Sequence, residues 1–234
     1  MATITELWLR YTALLKEKLP PLYAELNPPA SQEELDRAEK DYKISENPFF
    51  SELVEILKIN NGGEDIVGFD LIPIEYAFPD PLGHYAWRKE DCIGTEYFFS
   101  IPKEYVKTMH LCKNWIDFAA DGIGGGLFID LEPDEKGKKG QIINSSEDQS
   151  GKVVFADSLS DFLLALIKKL ETGDYYIEIM KEEEDDDVEY DENGEVIYNY
   201  GLTKINYDGS LPVWAMNMLG IVDEENDLLG VRKR

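Results

Sequence analysis

The chain has 234 residues, 43% of them hydrophobic, which suits one large domain with a real core, or one domain with an appendage. Its 48 acidic and 23 basic residues leave a net charge of −25. That balance excludes non-specific nucleic-acid binding, which needs lysine and arginine against phosphate, and an anionic membrane would repel the chain too. The natural complement is a basic protein partner, drawn in by a long-range attraction that salt weakens.

Only two cysteines occur, Cys92 and Cys112, so no disulfide framework is implied. The first residues lack the basic and then apolar regions of a signal peptide. No apolar run approaches the ~18 residues that a membrane span needs. These features lead us to expect a cytoplasmic protein with free thiols.

Residues 3 to 26 open with helical spacing at Ile4, Leu7, Trp8, Tyr11, Leu14 and Leu15, and Pro20-Pro21 ends or kinks that helix. Ser31 with Glu34 forms a capping box that starts a second helix, with Leu35, Ala38 and Tyr42 facing inward. Asn47-Pro48 starts a third, lined by Phe50, Leu53, Val54 and Leu57 and stopped by Asn60-Asn61-Gly62-Gly63 as a left-handed C-cap. Strands follow. Val67, Phe69 and Leu71 alternate, and residues 74 to 100 carry no clear period. Residues 115 to 120 and 127 to 131 read as a strand and its return across Asp121-Gly122-Ile123-Gly124-Gly125. Residues 132 to 139 form a charged loop, and 141 to 144 with 153 to 155 make another hairpin. Ser158, with Asp161 three residues on, opens a last helix through Leu170 that Gly173 stops. Three helices, an antiparallel sheet and a helix make an α+β order. Past residue 180 the composition shifts to Glu182-Glu183-Glu184-Asp185-Asp186-Asp187, a block of like charge. Val188–Tyr190 and Val196–Tyr198 flank Asn193-Gly194 as a hairpin, and Trp214, Met218 and Leu219 suit a short docking helix.

Several short motifs then recur in a recognisable order: Leu19-Pro20, Pro28 to Glu34, Asn61-Gly62, Gly68 to Pro73, Ala120 to Gly126, Phe128 to Leu131, Gly140 to Ile143 and Ala156 to Leu163. Together they resemble the SMI1/KNR4 superfamily, also called SUKH. The resemblance implies an α+β domain over residues 1–180, a mostly antiparallel or mixed sheet flanked by helices, with residues 181–234 as an acidic C-terminal extension. It also implies a binding module, not an enzyme. In bacteria such proteins look like immunity proteins that neutralise a cognate toxin, often a nuclease; fungal relatives look like regulators of cell-wall synthesis. Three glycines, Gly124 to Gly126, depart from the family's shorter turn, and the acidic segment lies outside the resemblance.

No motif points to a cofactor, a metal or a catalytic group. His84 and His110 lack a nucleophile motif, and Cys92 and Cys112 lack Cys-x-x-Cys spacing. The glycine cluster runs from strand to strand, which is the wrong context for a phosphate loop. Glu189 to Tyr200 misses the first and twelfth ligands of a calcium loop. The candidate partner-binding residues are Trp87, Trp115, Asp121, Asp130, Asp148, Glu182, Glu183, Glu184, Asp185, Asp186 and Asp187. Trp115 fits a core equally well, and turn-capping accounts for Asp121 and Asp148. Residues 181 to 234 hold 15 acidic and 5 basic residues, net −10, so the remainder is net −15 and acidic by itself. A toxin-neutralising protein that covers a nuclease's basic groove is the leading expectation; a regulatory scaffold is the alternative.

Overall fold

Thr3 and Glu6 satisfy each other's backbone N–H groups and start α1 (Ile4–Lys18), whose stripe of Ile4, Leu7, Trp8, Tyr11 and Leu15 is buried. Leu19 interrupts the helix ahead of Pro20, whose fixed φ suits the first position of α2 (Pro20–Glu25). Ser31 and Glu34 make the predicted capping box of α3 (Gln32–Tyr42), which a short 3-10 turn (Ile44–Glu46) follows. Asn47 accepts the Phe49 N–H at 3.0 Å and caps α4 (Pro48–Leu57). The computed structural model describes residues 2–65, 69–78, 98–109, 112, 114–120, 125–146, 151–179 and 190–202.

The strands are β1 (Gly63–Asp65), β2 (Asp70–Leu71), β3 (Phe99–Ile101), β4 (Trp115–Ala120), β5 (Gly125–Asp130), β6 (Gln141–Ser146) and β7 (Gly151–Ala156). A short α5 (Ile74–Ala77) follows β2, and α6 (Leu159–Thr172) follows β7. The sheet has seven strands in the order β1-β2-β4-β5-β6-β7-β3. Every pairing is antiparallel except β3 with β7, which is parallel, so the architecture is the expected α+β with a mixed sheet.

Alternation along the strands separates two faces. Ile116, Phe118, Leu127, Ile129, Ile142, Val153 and Phe155 turn towards the helices and form one core with α1, α4 and α6. Trp115, Phe128, Ile143 and Val154 turn the other way and meet Val106, with Tyr105, Met109 and Cys112 against them. Ser158 caps α6 as predicted, and Gly173 ends it at φ 79°.

Beyond α6, β8 (Tyr175–Ile179) and β9 (Tyr198–Leu202) form a separate antiparallel ribbon. Sequence reasoning missed β8 and paired residues 196–198 with 188–190. In the structure Tyr190 bridges Val196 around Asn193-Gly194, while the run from Tyr198 onward pairs with β8. Val67, Trp87, Asp121, Asp148, Glu182 to Asp187, both histidines, Cys92 and the docking helix expected around Trp214, Met218 and Leu219 lie outside the described residues.

The largest local difference concerns residues 60 to 63. Helix α4 ends at Leu57 with right-handed Lys58 as its C-cap, so Gly62 and Gly63 are not that cap. They sit at φ 92° and 86° for a tertiary reason. A Cβ on Gly63 would stand 2.2 Å from the Glu25 carbonyl oxygen, and one on Gly62 would stand 2.8 Å from the Pro73 ring. Around them, Asn60 Oδ1 accepts the Trp8 indole N–H at 3.0 Å, and Asn60 Nδ2 donates to the Asn27 carbonyl at 3.0 Å. Asn61 Oδ1 accepts the Ile74 N–H at 2.8 Å, and the Asn27 N–H donates to the Gly62 carbonyl at 3.0 Å. Four residues thus join α1, the α2–α3 connection and the start of α5.

Gly63→Ala combines a backbone clash with a φ that alanine resists, so it should cost about 3 kcal/mol or more. Asn61→Ala leaves the Ile74 N–H without its acceptor and should cost about 1–3 kcal/mol. Urea unfolding followed by tryptophan fluorescence checks both; a Gly63→Ala protein as stable as the parent contradicts the packing described.

Candidate functional site

Two of the sequence candidates are described, and the structure buries both. Trp115 in β4 is 5% exposed and packs on Phe128 with ring centroids 6.3 Å apart. Asp130 in β5 is its cross-strand partner and is fully buried. Its Oδ2 accepts from Gln141 Nε2 and its Oδ1 from the Glu132 N–H, each at 2.9 Å. Burial pushes the Asp130 carboxyl up to about 6, against the pull of Gln141, of the Glu132 N–H, of Trp115 and of Lys107. The Trp115 indole N–H leans on this carboxylate without reaching hydrogen-bond geometry, and it is buried with no other partner among the described residues. A binding partner would meet neither side chain at this surface.

Lys152 in β7 belongs to the same layer. It is fully buried, with its ammonium 4.6 Å from the Phe98 ring centroid and 6.0 Å from that of Trp115. Burial lowers its pKa to about 8. At the rim, Glu132 takes hydrogen bonds from Lys107 and Asn114, and the Cys112 thiol approaches it at 3.8 Å. Those contacts hold the Glu132 carboxyl below its usual range. The arrangement is a polar layer sealed beneath aromatic rings, suited to fixing strand register. Among the described residues, no group of three His, Cys, Asp or Glu is placed to hold a metal ion, and no helix is long and apolar enough to cross a membrane.

An open cleft lies at the other end of the sheet. Glu25, Gly63, Asp70, Leu71, Ile72, Pro73, Tyr76 and Ala120 line about 430 Å³ of it. Leu71 is buried and forms floor, whereas Glu25 and Asp70 are exposed and Tyr76 is 40% exposed. The cleft owes its shape to the Asn60–Gly63 junction, since Gly63 lets β1 pass against the end of α2. An apolar floor with carboxylates on its walls fits a basic, partly apolar side chain. Sequence reasoning did not single out Glu25, Asp70 or Tyr76. The available signal was the polar Asp70 between inward Phe69 and Leu71, which marks an outward-facing position on a short strand.

Ion pairs do not consume the protein's acidity. Arg10–Glu171, Lys58–Glu55, Lys107–Glu132, Lys136–Glu104, Lys138–Asp157 and Lys169–Asp174 are formed. Even if all 23 basic residues took one carboxylate each, 25 of the 48 acidic residues would keep none.

The Asp130 carboxyl gives a pH signature. Its folded pKa lies above the ~3.9 of an unfolded aspartate, so the folded state holds the extra proton between about pH 4 and pH 6. Asp130 therefore subtracts stability as pH rises through that window, by up to about 3 kcal/mol once ionised. Asp130→Asn should gain on the parent by up to that amount between pH 4 and pH 7, whatever its absolute stability. Urea unfolding of both proteins across that range checks this; a constant difference between them contradicts it.

Comparison with known proteins places this geometry in a family. The model of the SMI1 / KNR4 family (SUKH-1) matches residues 29–165. The cell wall assembly regulator SMI1 of Saccharomyces cerevisiae is 24% identical over 233 residues, covering 82% of this chain and 44% of that protein. The cell wall biosynthesis/cell cycle regulator smi1 of Schizosaccharomyces pombe is 34% identical over 79 residues, covering 34% of this chain and 16% of that protein. The glucan synthesis regulatory protein of Neurospora crassa is 32% identical over 98 residues, covering 42% of this chain and 18% of that protein. The chain thus spans less than half the length of each of these relatives. The family match runs from the approach to α3 into α6 and takes in more than half of the sequence: the chain belongs to the SMI1 / KNR4 family (SUKH-1).

Proposed function

We propose that this chain is a regulator of cell-wall assembly, serving glucan synthesis, that acts by holding other proteins and catalyses nothing itself. The observation that carries the reading is the alignment with the yeast cell wall assembly regulator across 82% of the chain. The chemistry supports it. The surplus of 25 carboxylates gives a surface for basic partners, and the cleft between Glu25 and Asp70 offers such a partner an apolar floor. The same surplus disfavours nucleic acid and anionic membrane as ligands. The cytoplasm is the compartment where this regulator meets its partners.

The rival reading is an immunity protein that covers a basic nuclease toxin. It uses the same charge argument, but the relatives named above are fungal regulators, and that tips the choice to regulation.

Expression in Saccharomyces cerevisiae cells lacking SMI1 should restore wall β-glucan and resistance to a wall-binding dye. Partners captured from a fungal lysate on the immobilised chain should be basic, and their yield should fall about tenfold or more between 50 mM and 500 mM salt. Failure to change the fungal wall, together with protection of bacterial cells from a nuclease toxin, would replace this reading with the immunity one.

A further inference from the structure

The β8–β9 ribbon carries an apolar face that the described residues leave open at its outer end. Register places Tyr175 opposite Leu202, Ile177 opposite Tyr200, and Ile179 opposite Tyr198. Directly paired residues share a face, and so do residues two apart on one strand, so these six side chains form a single stripe. The stripe begins in the core. Leu202 is fully buried, and Tyr175 and Tyr200 pack against the main cluster. It then runs out: Ile177 is 50% exposed, Ile179 43% and Tyr198 43%. Tyr190 at the adjoining tight turn is 60% exposed, and the Tyr198 and Tyr200 rings lie 5.9 Å apart. Contiguous exposed apolar surface of this kind marks an interaction site more often than an isolated exposed leucine does.

Charge decides what can cover it. The described residues of the ribbon and its turn include Asp174, Glu178, Asp191, Glu192 and Glu195, and none of them is lysine or arginine. Asp174 is held by Lys169, and Asp191 is turned onto its own backbone, accepting the Asn193 and Glu195 N–H groups. Glu178, one residue out of step with the stripe, lies on the ribbon's other face and accepts from the neutral Asn199 amide. A second copy of the chain would bring another −25 to the contact, so self-association on this face is opposed by repulsion. An apolar stripe with the exposed Glu192 and Glu195 at its outer end, and with no lysine or arginine among the ribbon's described residues, matches a segment that presents both apolar and basic side chains.

We propose that the Ile177, Ile179 and Tyr198 face of the ribbon is a docking surface for a cationic amphipathic segment of a partner protein, its apolar side laid on the stripe and its lysines or arginines towards the rim. This deepens the protein-binding reading above and rests on it. The ribbon lies outside the family match at residues 29–165.

The test uses the full chain and three synthetic probes: a leucine–lysine amphipathic peptide, an oligolysine of equal charge, and a leucine–glutamine peptide of equal length. Fluorescence anisotropy should show the leucine–lysine peptide binding at least about tenfold more tightly than either control. The triple variant Ile177→Thr, Ile179→Thr, Tyr198→Thr places strand-favouring β-branched residues at all three exposed positions and should retain the parent's circular dichroism and melting temperature. It should lose about tenfold in affinity for the leucine–lysine peptide while oligolysine binding stays unchanged. Should that variant lose fold, a benzoylphenylalanine at position 198 of the full chain reports instead, and it should cross-link to the labelled leucine–lysine peptide. Equal binding by parent and triple variant, equal binding of oligolysine, or cross-links that fall within residues 203–234 or on a second copy would each overturn the proposal. None of these results bears on rescue of the fungal wall, so the surface can fail while the regulatory reading stands.

Discussion

The junction at Asn60 to Gly63 is the constraint on which the rest of the architecture depends. Helical layer and sheet meet there through amide groups, not through apolar packing alone. Trp8 in α1 reaches Asn60, the Asn27 backbone meets Gly62, and Asn61 receives Ile74. The Trp8 indole N–H and the Ile74 N–H are part-buried and would carry a desolvation cost if their partners moved, so these bonds reinforce one another in holding the junction closed. Two glycines at positive φ are what let the chain turn tightly enough for this. The cleft beside Gly63 is a by-product of that crossing, which explains why its walls come from four separate parts of the chain.

Electrostatics pull the other way. The ion pairs with exposed partners, such as Arg10–Glu171 and Lys58–Glu55, each contribute at most about 1 kcal/mol. Against them stands the mutual repulsion of a −25 chain, which favours expansion. The buried Asp130 adds to the cost above pH 6. Among the described residues the fold uses few of these acids: the core is largely apolar, and the caps use only a handful of carboxylates. An excess that the described fold does not use is the physical ground for the basic partner proposed above, and it does not draw on the family.

Legibility in the sequence follows the distance between interacting residues. Helix starts were readable because Ser31 with Glu34, Asn47 with Pro48, and Ser158 with Asp161 complete their chemistry within one turn. The 115–130 and 141–156 hairpins were readable because alternation and a nearby turn define them. Strand β3 was not, since Phe99–Ile101 is a strand only through parallel pairing with Gly151–Val153, some fifty residues on. Asp130, near the end of a strand, read as a candidate for partner contact. It is buried because Trp115, Gln141 and the layer that holds Tyr105, Val106 and Met109 close over that face of the sheet, and no local signal announces such a cover. The ribbon illustrates the same limit, because Tyr175–Ile179 finds its partner only after a long excursion.

A two-stranded ribbon has little stability of its own, so its anchoring bears on what it does. Leu202, Tyr175 and Tyr200 fix one end in the core, and helix α2 lies against β9. The C-terminal residue of that helix, Glu25, is also a wall of the cleft. One six-residue helix therefore touches the ribbon on one part and the cleft on another. Its position is set by the Gly63 crossing, whose close approach is to Glu25 itself. The two open surfaces that combine apolar area with acid are thus held in fixed relation by the same backbone contact that joins helices to sheet. A partner segment that engaged either surface would bear on α2, and through α2 on the junction that holds the body together.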